Sequence, residues 1–236
     1  MTPWRTLPPC PVRDEEGFVR FLNAAGICLW TPHPSADFPN LAEKMELDNP
    51  DDLWNTWFWK DDLHEAKRLY YGKLLGGRPT FVAMDFLPYV IAALGDVDPY
   101  TLHEQGRLTA DALRIYEVLL RRRELSTGEL RREVGLTGPG TKPVFEKAVT
   151  SLCALFQVCK TRITGRTRGT YGYRWGLVED WIPDVLAEAA KLEPEEAVRA
   201  IVRRLHGMGV RPRPVHWRRL LGWGDEAVAW AEEEGA

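Results

Sequence analysis

The stretch that most constrains the fold is Phe156–Val178, which is basic, aromatic and interrupted by glycines. Two short runs flank a turn at residues 164–169, and this turn contains Gly165 and Gly169. Aromatic residues occupy every second position of the second run: Tyr171, Tyr173 and Trp175. Aromatic enrichment, a period of two and a glycine-containing turn together predict a β-hairpin.

Three predicted helices precede this hairpin. The first spans about Ala110 to Arg123, and the second opens with a capping box in which Ser126 is the N-cap and Glu129 is the N3 residue. The third begins near Thr141 and is expected to bury one apolar face: Val144, Phe145, Ala148, Leu152 and Leu155. Helix, capped helix, turn, helix and basic hairpin is the order of a winged helix-turn-helix, with the hairpin as the wing. The sequence therefore predicts a mainly α fold with small β-hairpins. It also predicts one or more winged helix-turn-helix domains, which we expect to occur in tandem.

The predicted wing and third helix carry side chains that suit DNA. Five cations lie in the hairpin, and four basic or hydroxyl side chains lie on the free face of the helix: Lys160, Arg162, Arg166, Arg168 and Arg174, then Lys142, Lys147, Thr150 and Ser151. Guanidinium groups hydrogen-bond phosphate oxygens and enter narrow minor grooves, and a polar helix face fits the major groove. We predict that these residues contact DNA. The competing interpretation is that the arginines only solvate an exposed hairpin.

Positive charge is concentrated in one third of the chain. Residues 1–104 hold 9 Lys and Arg against 16 Asp and Glu, residues 105–178 hold 14 against 6, and residues 179–236 hold 8 against 12. The formal net charge of −3 hides this asymmetry. A local excess of positive charge favours a polyanionic partner, and the acidic flanks predict a modest, salt-dependent affinity.

The predicted organisation has three parts. Residues 1–104 form an N-terminal helical domain, for which a degenerate winged helix is one interpretation. Residues 105–182 form the winged helix-turn-helix domain, and residues 183–236 form a C-terminal helical region. This last region holds a second basic group around His216: Arg203, Arg204, Arg211, Arg213, Arg218 and Arg219.

The N-terminal part predicts a helix from about Asp14 to Gly26 and a helical pattern from Leu53 to Leu75. In one interpretation the second pattern divides, and a helix begins near Asp61. Asp61, Asp62 and Glu65 are then either paired carboxylates near a cleft or first-turn acids that suit the helix dipole. The lysines of this stretch are candidates for exposed phosphate contacts: Lys60, Lys67 and Lys73.

Several function classes lack their sequence signatures. The four cysteines have no CxxC spacing, so neither a zinc site nor a disulfide framework is indicated, and no metal or cofactor is expected. Dinucleotide-binding, Walker A, zincin and serine-hydrolase motifs are absent. No apolar run approaches the ~20 residues that span a membrane, and the first residues lack the apolar core of a signal peptide. A cytoplasmic location is expected, on the nucleoid if the protein binds DNA.

The block Leu53–Leu94 and the predicted winged helix together resemble the AlkZ-related branch of winged-helix DNA-binding proteins, which are relatives of the AlkZ/YcaQ DNA glycosylases. The resemblance extends from about Val12 to Trp223 and implies a concave DNA-binding body of tandem winged helices. In the glycosylases a Gln-x-Gln or Gln-x-Asp motif activates the water that releases an alkylated or crosslinked base.

This sequence departs from the family pattern at that motif. Its two glutamines, Gln105 and Gln157, lie outside any such motif, and Cys28 and Trp30 stand where the motif is expected, just after Gly26. No catalytic residue is carried over, and whether the protein is an enzyme stays open. The favoured interpretation is a DNA-repair-related protein that binds duplex or damaged DNA without the usual catalytic motif. The alternatives are a divergent DNA glycosylase and a protein-interaction module in which the hairpin only packs.

Overall fold

The computed structural model describes residues 3–47, 53–94 and 98–235. Within these ranges the helices in chain order are α1 (Glu15–Ala25), α2 (Leu53–Glu65), α3 (Leu87–Ala92), α4 (Pro99–Glu104), α5 (Ala110–Arg122), α6 (Thr127–Glu133), α7 (Thr141–Ala154), α8 (Val178–Trp181), α9 (Pro183–Ala189), α10 (Pro194–Gly207), α11 (Pro214–His216) and α12 (Asp225–Gly235). The strands are β1 (Ile27–Leu29), β2 (Leu69–Lys73), β3 (Pro79–Ala83), β4 (Leu125–Ser126), β5 (Val158–Ile163) and β6 (Tyr173–Leu177). Shorter turns of helix are of 3-10 type at Pro3–Thr6 and Leu75–Gly77 and of π type at Trp217–Leu221. The predicted mainly α fold with small β elements is confirmed.

The chain folds into two compact units. The first unit combines the described residues up to 94 with those from 185 onward, and the second unit spans 98–184. The division into three domains, with boundaries after residues 104 and 182, stays a prediction. None of the described helices is long and apolar enough to cross a membrane.

In the first unit, α1 begins and ends where the sequence predicts. The Asp14 carboxylate accepts a hydrogen bond from the Gly17 N–H (2.6 Å) and caps the first turn. Gly26 ends the helix with φ 79°, in the left-handed region that favours glycine. A Cβ atom at position 26 would lie 2.8 Å from the Phe86 ring, so packing excludes a side chain there as well. The Gly26 carbonyl then accepts a hydrogen bond from the Ala83 N–H (2.8 Å), which leads into the sheet.

The sheet of the first unit has the order β1–β3–β2, and both strand pairs are antiparallel. Ile27 lies opposite Val82 and Tyr71 opposite Phe81. The Phe81 ring packs edge-on against Phe18 of α1, with centroids 4.8 Å apart. The central strand therefore forms the core beneath α1.

The helical pattern predicted as far as Leu75 is wrong beyond Glu65. Lys67 adopts φ 55°, which interrupts the helix, and the chain from Leu69 pairs as β2. Residues 69–72 are all buried. A short, wholly apolar run has no polar face, so its spacing does not separate a buried strand from a buried helix.

The C-terminal helices complete the first unit, since α10 packs against α3 and α12. The helix buries an apolar stripe: Ala197, Val198, Ile201, Val202 and Leu205. The Arg204 guanidinium donates to the carbonyls of Asn23 (3.2 Å) and Ala24 (3.0 Å) at the end of α1. A cation there satisfies carbonyls that have no partner within their own helix.

In the second unit, α5, α6 and α7 pack on a sheet of order β4–β6–β5. The predicted capping box is confirmed. The Glu129 N–H donates to Ser126 Oγ (3.3 Å), and the Ser126 N–H donates to the Glu129 carboxylate (2.8 Å). The core contains apolar residues from every one of these elements, among them Ile115, Leu119, Leu130, Leu152, Val158 and Leu177.

The predicted buried face of α7 is correct except at two positions. Phe145, Ala148 and Leu152 are buried, whereas Val144 is 43% exposed and Leu155 only half-buried. The stripe runs at helical spacing through Phe145, and the residue before it turns away from the core. Assigning Val144 to the buried face was therefore wrong.

The predicted β-hairpin is confirmed as β5 and β6, which pair antiparallel. Val158 lies opposite Leu177, and the register shifts by a bulge between Lys160 and Arg162. β4 adds a third strand by placing Leu125 opposite Trp175. The loop between β5 and β6 thus projects from a three-stranded sheet.

Candidate nucleic-acid interface

The four predicted contact residues of α7 differ in how free they are. Lys142 and Lys147 are exposed, while Thr150 and Ser151 are half-buried. The Ser151 hydroxyl donates to the carbonyl of Lys147 (2.9 Å) or of Ala148 (3.0 Å). Lys142 lies 3.8 Å from the Glu146 carboxylate. Lys147 makes no ion pair within the described ranges, so its charge is the more available of the two lysines.

The five hairpin cations divide between the tip and the base. Arg166 and Arg168 lie in the exposed loop. At the base, Arg162 and Arg174 both contact the Glu124 carboxylate, at 2.7 and 2.8 Å. Lys160 Nζ lies 3.9 Å from the Tyr173 ring centroid, a cation–π distance. The tip arginines are therefore exposed, and the base cations contact a carboxylate or a ring of the second unit.

Glu124, which the sequence predictions missed, is the residue that organises the hairpin base. Its carboxylate also accepts a hydrogen bond from the Thr161 hydroxyl (2.5 Å). Partial burial raises the pKa of Glu124, but the hydrogen bonds from Thr161, Arg174 and Arg162 outweigh it and lower the pKa to about 2. The carboxylate is ionised at neutral pH and offsets much of the charge of two arginines. The available sequence signal was a single acid directly after the run of three arginines at 121–123.

The aromatic residues of β6 and of the segment before it form a continuous row, in which Trp175 is buried and Tyr171 and Tyr173 are half-buried. Ring centroids are 5.4 Å apart for Tyr171 and Tyr173 and 5.9 Å apart for Tyr173 and Trp175. The two tyrosine hydroxyls share a hydrogen bond (2.6 Å), and Trp175 Nε1 donates to the Thr127 hydroxyl (2.9 Å). Trp175 joins the hairpin to the start of α6, and the two tyrosines extend this aromatic row along the wing.

The first unit contains the place where the family motif is expected, at β1. Cys28 is fully buried, and burial raises the pKa of its thiol, so it stays protonated. The Trp30 ring packs against Trp57 (centroids 5.6 Å apart) and Phe81 (5.5 Å). β1 therefore offers packing groups, and its thiol is unsuited to act as a nucleophile.

A buried ion pair lies beside this aromatic group. Lys60 Nζ is 2.5 Å from the Asp61 carboxylate, 4.4 Å from the Trp57 ring centroid and 5.8 Å from that of Tyr71. Burial lowers the pKa of Lys60, and Asp61 and Asp62 oppose this shift. The prediction that Lys60 is an exposed phosphate contact is wrong, because its side chain is 1% exposed.

The three candidate carboxylates of α2 are not grouped as a catalytic pair. Asp61 is buried, Asp62 is half-buried and Glu65 is exposed. α2 runs unbroken from Leu53, so these acids lie in its last turns. The explanation by a helix beginning near Asp61 is therefore wrong, and Asp61 is explained by its partner Lys60.

The arginines of the second basic group also divide by partner. Arg203 pairs with Glu234 (3.3 Å), and Arg218 pairs with Asp225 (2.8 Å). Arg204 is bound to carbonyls of α1 as described above. The remaining three make no ion pair with any residue that the structure describes: Arg211, Arg213 and Arg219. Among the described residues, no cluster of three or more His, Cys, Asp or Glu side chains is arranged to hold a metal ion.

These features define a mainly helical protein in which two three-stranded sheets share one strand order, with the first strand beside the third. A family model described as AlkZ related matches residues 12–222. The chain belongs to the AlkZ-related family, and the resemblance seen in the sequence is confirmed.

Among solved structures, the DNA glycosylase AlkZ of Streptomyces sahachiroi is similar, with a TM-score of 0.52 and 15% sequence identity. The match covers 99% of this chain and 64% of that chain, so the protein spans just under two thirds of the length of that glycosylase chain. At this identity the likeness concerns the fold alone. No curated protein matches the sequence.

Proposed function

We propose that residues 98–184 form a winged helix that binds duplex DNA, in a DNA-repair-related role. The order α5, β4, α6, α7, β5, β6 with strand order β4–β6–β5 supports this proposal. In this arrangement α7 is the recognition helix, and the loop between β5 and β6 is the wing. Membership of the AlkZ-related family supports the same role.

The first unit supports the tandem interpretation. Its sheet has the corresponding order, β1–β3–β2, and α1 precedes it as α5 precedes the second sheet. Among the described residues, α2 is the only helix between β1 and β2. The second unit has two helices, α6 and α7, between the corresponding strands β4 and β5. We infer a degenerate winged helix that lacks one helix and serves as a scaffold.

The observation that carries the proposal is the exposure of cations on two neighbouring parts of one unit. Lys147 is exposed on α7, and Arg166 and Arg168 are exposed at the wing tip. The major groove admits a helix, and arginines at a wing tip reach phosphates or a narrow minor groove. The excess of 14 cations over 6 acids in residues 105–178 provides a local positive field on a chain of net charge −3.

Binding to labelled duplex, nicked and branched DNA, followed by fluorescence anisotropy at several salt concentrations, tests this function. Arg166→Ala with Arg168→Ala is expected to weaken binding and to lower the slope of log K against log salt by up to about 2, because each phosphate contact contributes ~0.9. The matched control is Lys67→Ala with Lys73→Ala, which removes two exposed cations from the other unit.

Equal losses of DNA affinity in the two double variants would show an effect of net charge. They would exclude the wing as the DNA-contacting surface. Failure of all three DNAs to bind at low salt would overturn the function altogether. A stable protein partner that survives nuclease treatment would then favour the protein-interaction module.

A second candidate function is base excision, and the buried Asp61 beside exposed aromatic surface favours it. Trp57 is 42% exposed and lies next to Lys60, which contacts Asp61, so a base stacked there would lie near the Asp61 carboxylate. In such a reaction the carboxylate accepts a proton from water, the water oxygen bonds to the sugar C1′, and the base leaves with the electrons of the glycosidic bond. Free-base release from alkylated or crosslinked DNA, lost in Asp61→Asn, would support it. No release by the unaltered protein would exclude it.

A further inference from the structure

Two histidines and three arginines of the first unit form a separate basic cluster. His33 lies in the loop after β1 and His216 ends α11, with ring centroids 6.4 Å apart. Burial and the positive charge of Arg78 lower the pKa of His33. Burial and the charges of Arg213 and Arg219 lower the pKa of His216. We call these five residues the His–Arg pocket.

A close backbone approach holds this cluster together. Gly76 has φ 60°, and a Cβ atom there would lie 3.1 Å from the Arg219 carbonyl oxygen. The π-helical turn Trp217–Leu221 thereby lies against the turn Leu75–Gly77, which Arg78 directly follows. A side chain at position 76 would push these two turns apart, and Arg78 and Arg219 with them.

Both histidine rings are held in the same tautomer. Nδ1 of His33 accepts a hydrogen bond from the Ser35 N–H (3.2 Å), and Nδ1 of His216 accepts one from the Arg213 N–H (3.3 Å). A ring nitrogen that accepts a hydrogen bond carries no proton, so the proton of each neutral ring is on Nε2. Each ring therefore has one N–H donor, at Nε2.

Burial and neighbouring positive charges both favour the neutral form of these rings. Burial lowers the pKa of both histidines, and the neighbouring arginines lower it further. Arg78, Arg213 and Arg219 make no ion pair with any described residue. The pocket thus gathers two N–H donors and three arginines that form no ion pair with a described residue.

The acids that border the pocket are already bound elsewhere. A cavity of about 400 Å³ is lined by His33, Asp37 and Glu43, and one of about 330 Å³ by Asp37, Arg211 and His216. Arg5 pairs with Asp37 (2.8 Å) and with Glu43 (2.7 Å). Trp4 Nε1 also donates to Asp37 (3.1 Å). These carboxylates are therefore engaged with the N-terminal segment rather than with the arginines of the pocket.

We propose that the His–Arg pocket binds a phosphate group, held by the arginine guanidinium groups and by the Nε2–H donors of the two histidines. Guanidinium groups pair with phosphate oxygens through charge-assisted hydrogen bonds, and neutral histidine adds directional donors without needing a proton. The phosphate belongs either to a small phosphorylated ligand or to a nucleic-acid backbone. This site lies in the first unit and does not depend on DNA binding by residues 98–184.

The test uses the full chain with inorganic phosphate at pH 7.5, followed through the ring ¹⁵N resonances of the histidines. We expect saturable shifts of Nε2 in His33 and His216 and none in His206, which serves as an internal control. Arg213→Ala with Arg219→Ala should lower the phosphate affinity by at least about tenfold, since two charge-assisted contacts are lost. The control Arg203→Ala removes an exposed arginine that pairs with Glu234, and it should leave the affinity unchanged.

A pair of substitutions at His33 tests the donor role without altering the arginines. His33→Gln keeps an N–H donor and should retain most of the affinity, whereas His33→Phe keeps the volume and should lose it. No saturable shift in the unaltered protein would overturn the proposal, as would equal affinities of the Gln and Phe variants. Equal losses in Arg203→Ala and in the double arginine variant would also overturn it.

A further arm identifies where the phosphate comes from. Short duplex DNA is added to the Arg166→Ala, Arg168→Ala protein while the same two histidine signals are followed. Shifts that phosphate competes away would support the pocket and assign it to a nucleic-acid backbone. Shifts with phosphate but not with DNA would support the pocket and assign it to a small phosphorylated ligand.

Discussion

The hairpin base and the His–Arg pocket each contain more than one arginine. Among the described residues, the arginines of the hairpin base pair with a carboxylate and those of the pocket do not. At the hairpin base, Arg162 and Arg174 close on one carboxylate, Glu124, within 2.8 Å. In the pocket, Arg213 and Arg219 have no carboxylate partner within the described ranges. Counting cations along the sequence thus overstates the charge that the hairpin base offers to a ligand, but not the charge of the pocket.

The difference separates arginines that build the fold from arginines available to a ligand. A paired arginine gains its hydrogen bonds inside the protein, so a phosphate must displace an existing partner. An unpaired, clustered arginine is repelled by its neighbours until an anion arrives. Five substitutions test this contrast.

The largest effect is expected from Leu152→Ala, which removes a fully buried side chain from the core beneath the wing. Such a change costs about 2–5 kcal/mol through lost burial and the cavity left behind. Hydrogen exchange should show the amides of β5 and β6 losing protection and DNA binding weakening, while the phosphate response of the His–Arg pocket persists. Loss of both responses together would mean that the two regions do not unfold independently.

Glu124→Gln should have the next largest effect, with opposite signs for stability and binding. Losing the charge that Arg162 and Arg174 share should cost about 1–3 kcal/mol of unfolding free energy. The same change frees two cations and should raise DNA affinity several-fold, with a steeper salt dependence. The control Glu117→Gln removes a half-buried acid of α5 that makes no ion pair with a described residue. A loss of DNA affinity in Glu124→Gln would contradict the assignment.

The pH dependence of that difference follows from the sign of the shift. The pKa of Glu124 is lowered from an ordinary 4.5 to about 2, so its contribution to stability is fully present above about pH 4.5. The contribution is lost as the pH falls from there towards 2. The free energies of unfolding of the unaltered protein and of Glu124→Gln should therefore converge over this acid range. A constant difference would show that packing, rather than charge, explains the effect.

A smaller effect distinguishes the tip from the base of the hairpin. Arg168→Ala should reduce DNA affinity about three- to tenfold at low salt, because it removes one exposed phosphate contact. Arg162→Ala should change affinity less than about twofold, since Glu124 already offsets its charge. Anisotropy titrations at matched salt compare the two variants. The reverse order would place DNA at the hairpin base.

The smallest effect is expected in the pocket without ligand. Arg219→Ala should raise the pKa of His216, since it removes a positive neighbour, but burial is the larger cause and remains. An NMR titration of the ring in phosphate-free buffer measures this. An unchanged or lower pKa would mean that Arg219 does not face His216.

Features set by near neighbours were predictable from the sequence. The capping box joins Ser126 to Glu129 three residues on, and the hairpin joins strands across a short loop. The family resemblance was recognisable because the whole ordered set of elements lies within one stretch of chain. For the site, exposure of Arg166 and Arg168 followed from their place in a turn.

Features set by distant partners were not predictable. Glu124 lies 38 and 50 positions from the arginines that it binds, so the sequence gives the charges but not their pairing. Lys60 was expected at the surface because an isolated lysine usually is, and only the fold places Trp57 and Asp61 around it. β2 was missed for a different reason, since a run buried on both faces carries no periodic signal.

The glycine at the end of α1 has a consequence for how this protein family changes over time. Position 26 needs glycine for its backbone angle and for the Phe86 ring, and neither need involves the residues that follow on β1. Folding alone therefore requires Gly26, whether or not the residues after it carry an activity. Any replacement of Cys28 or Trp30 must still fit the packing that these two side chains make in the first unit. A glycine at position 26 is thus explained by folding and is no marker of activity, which depends instead on side chains such as those at positions 28 and 30.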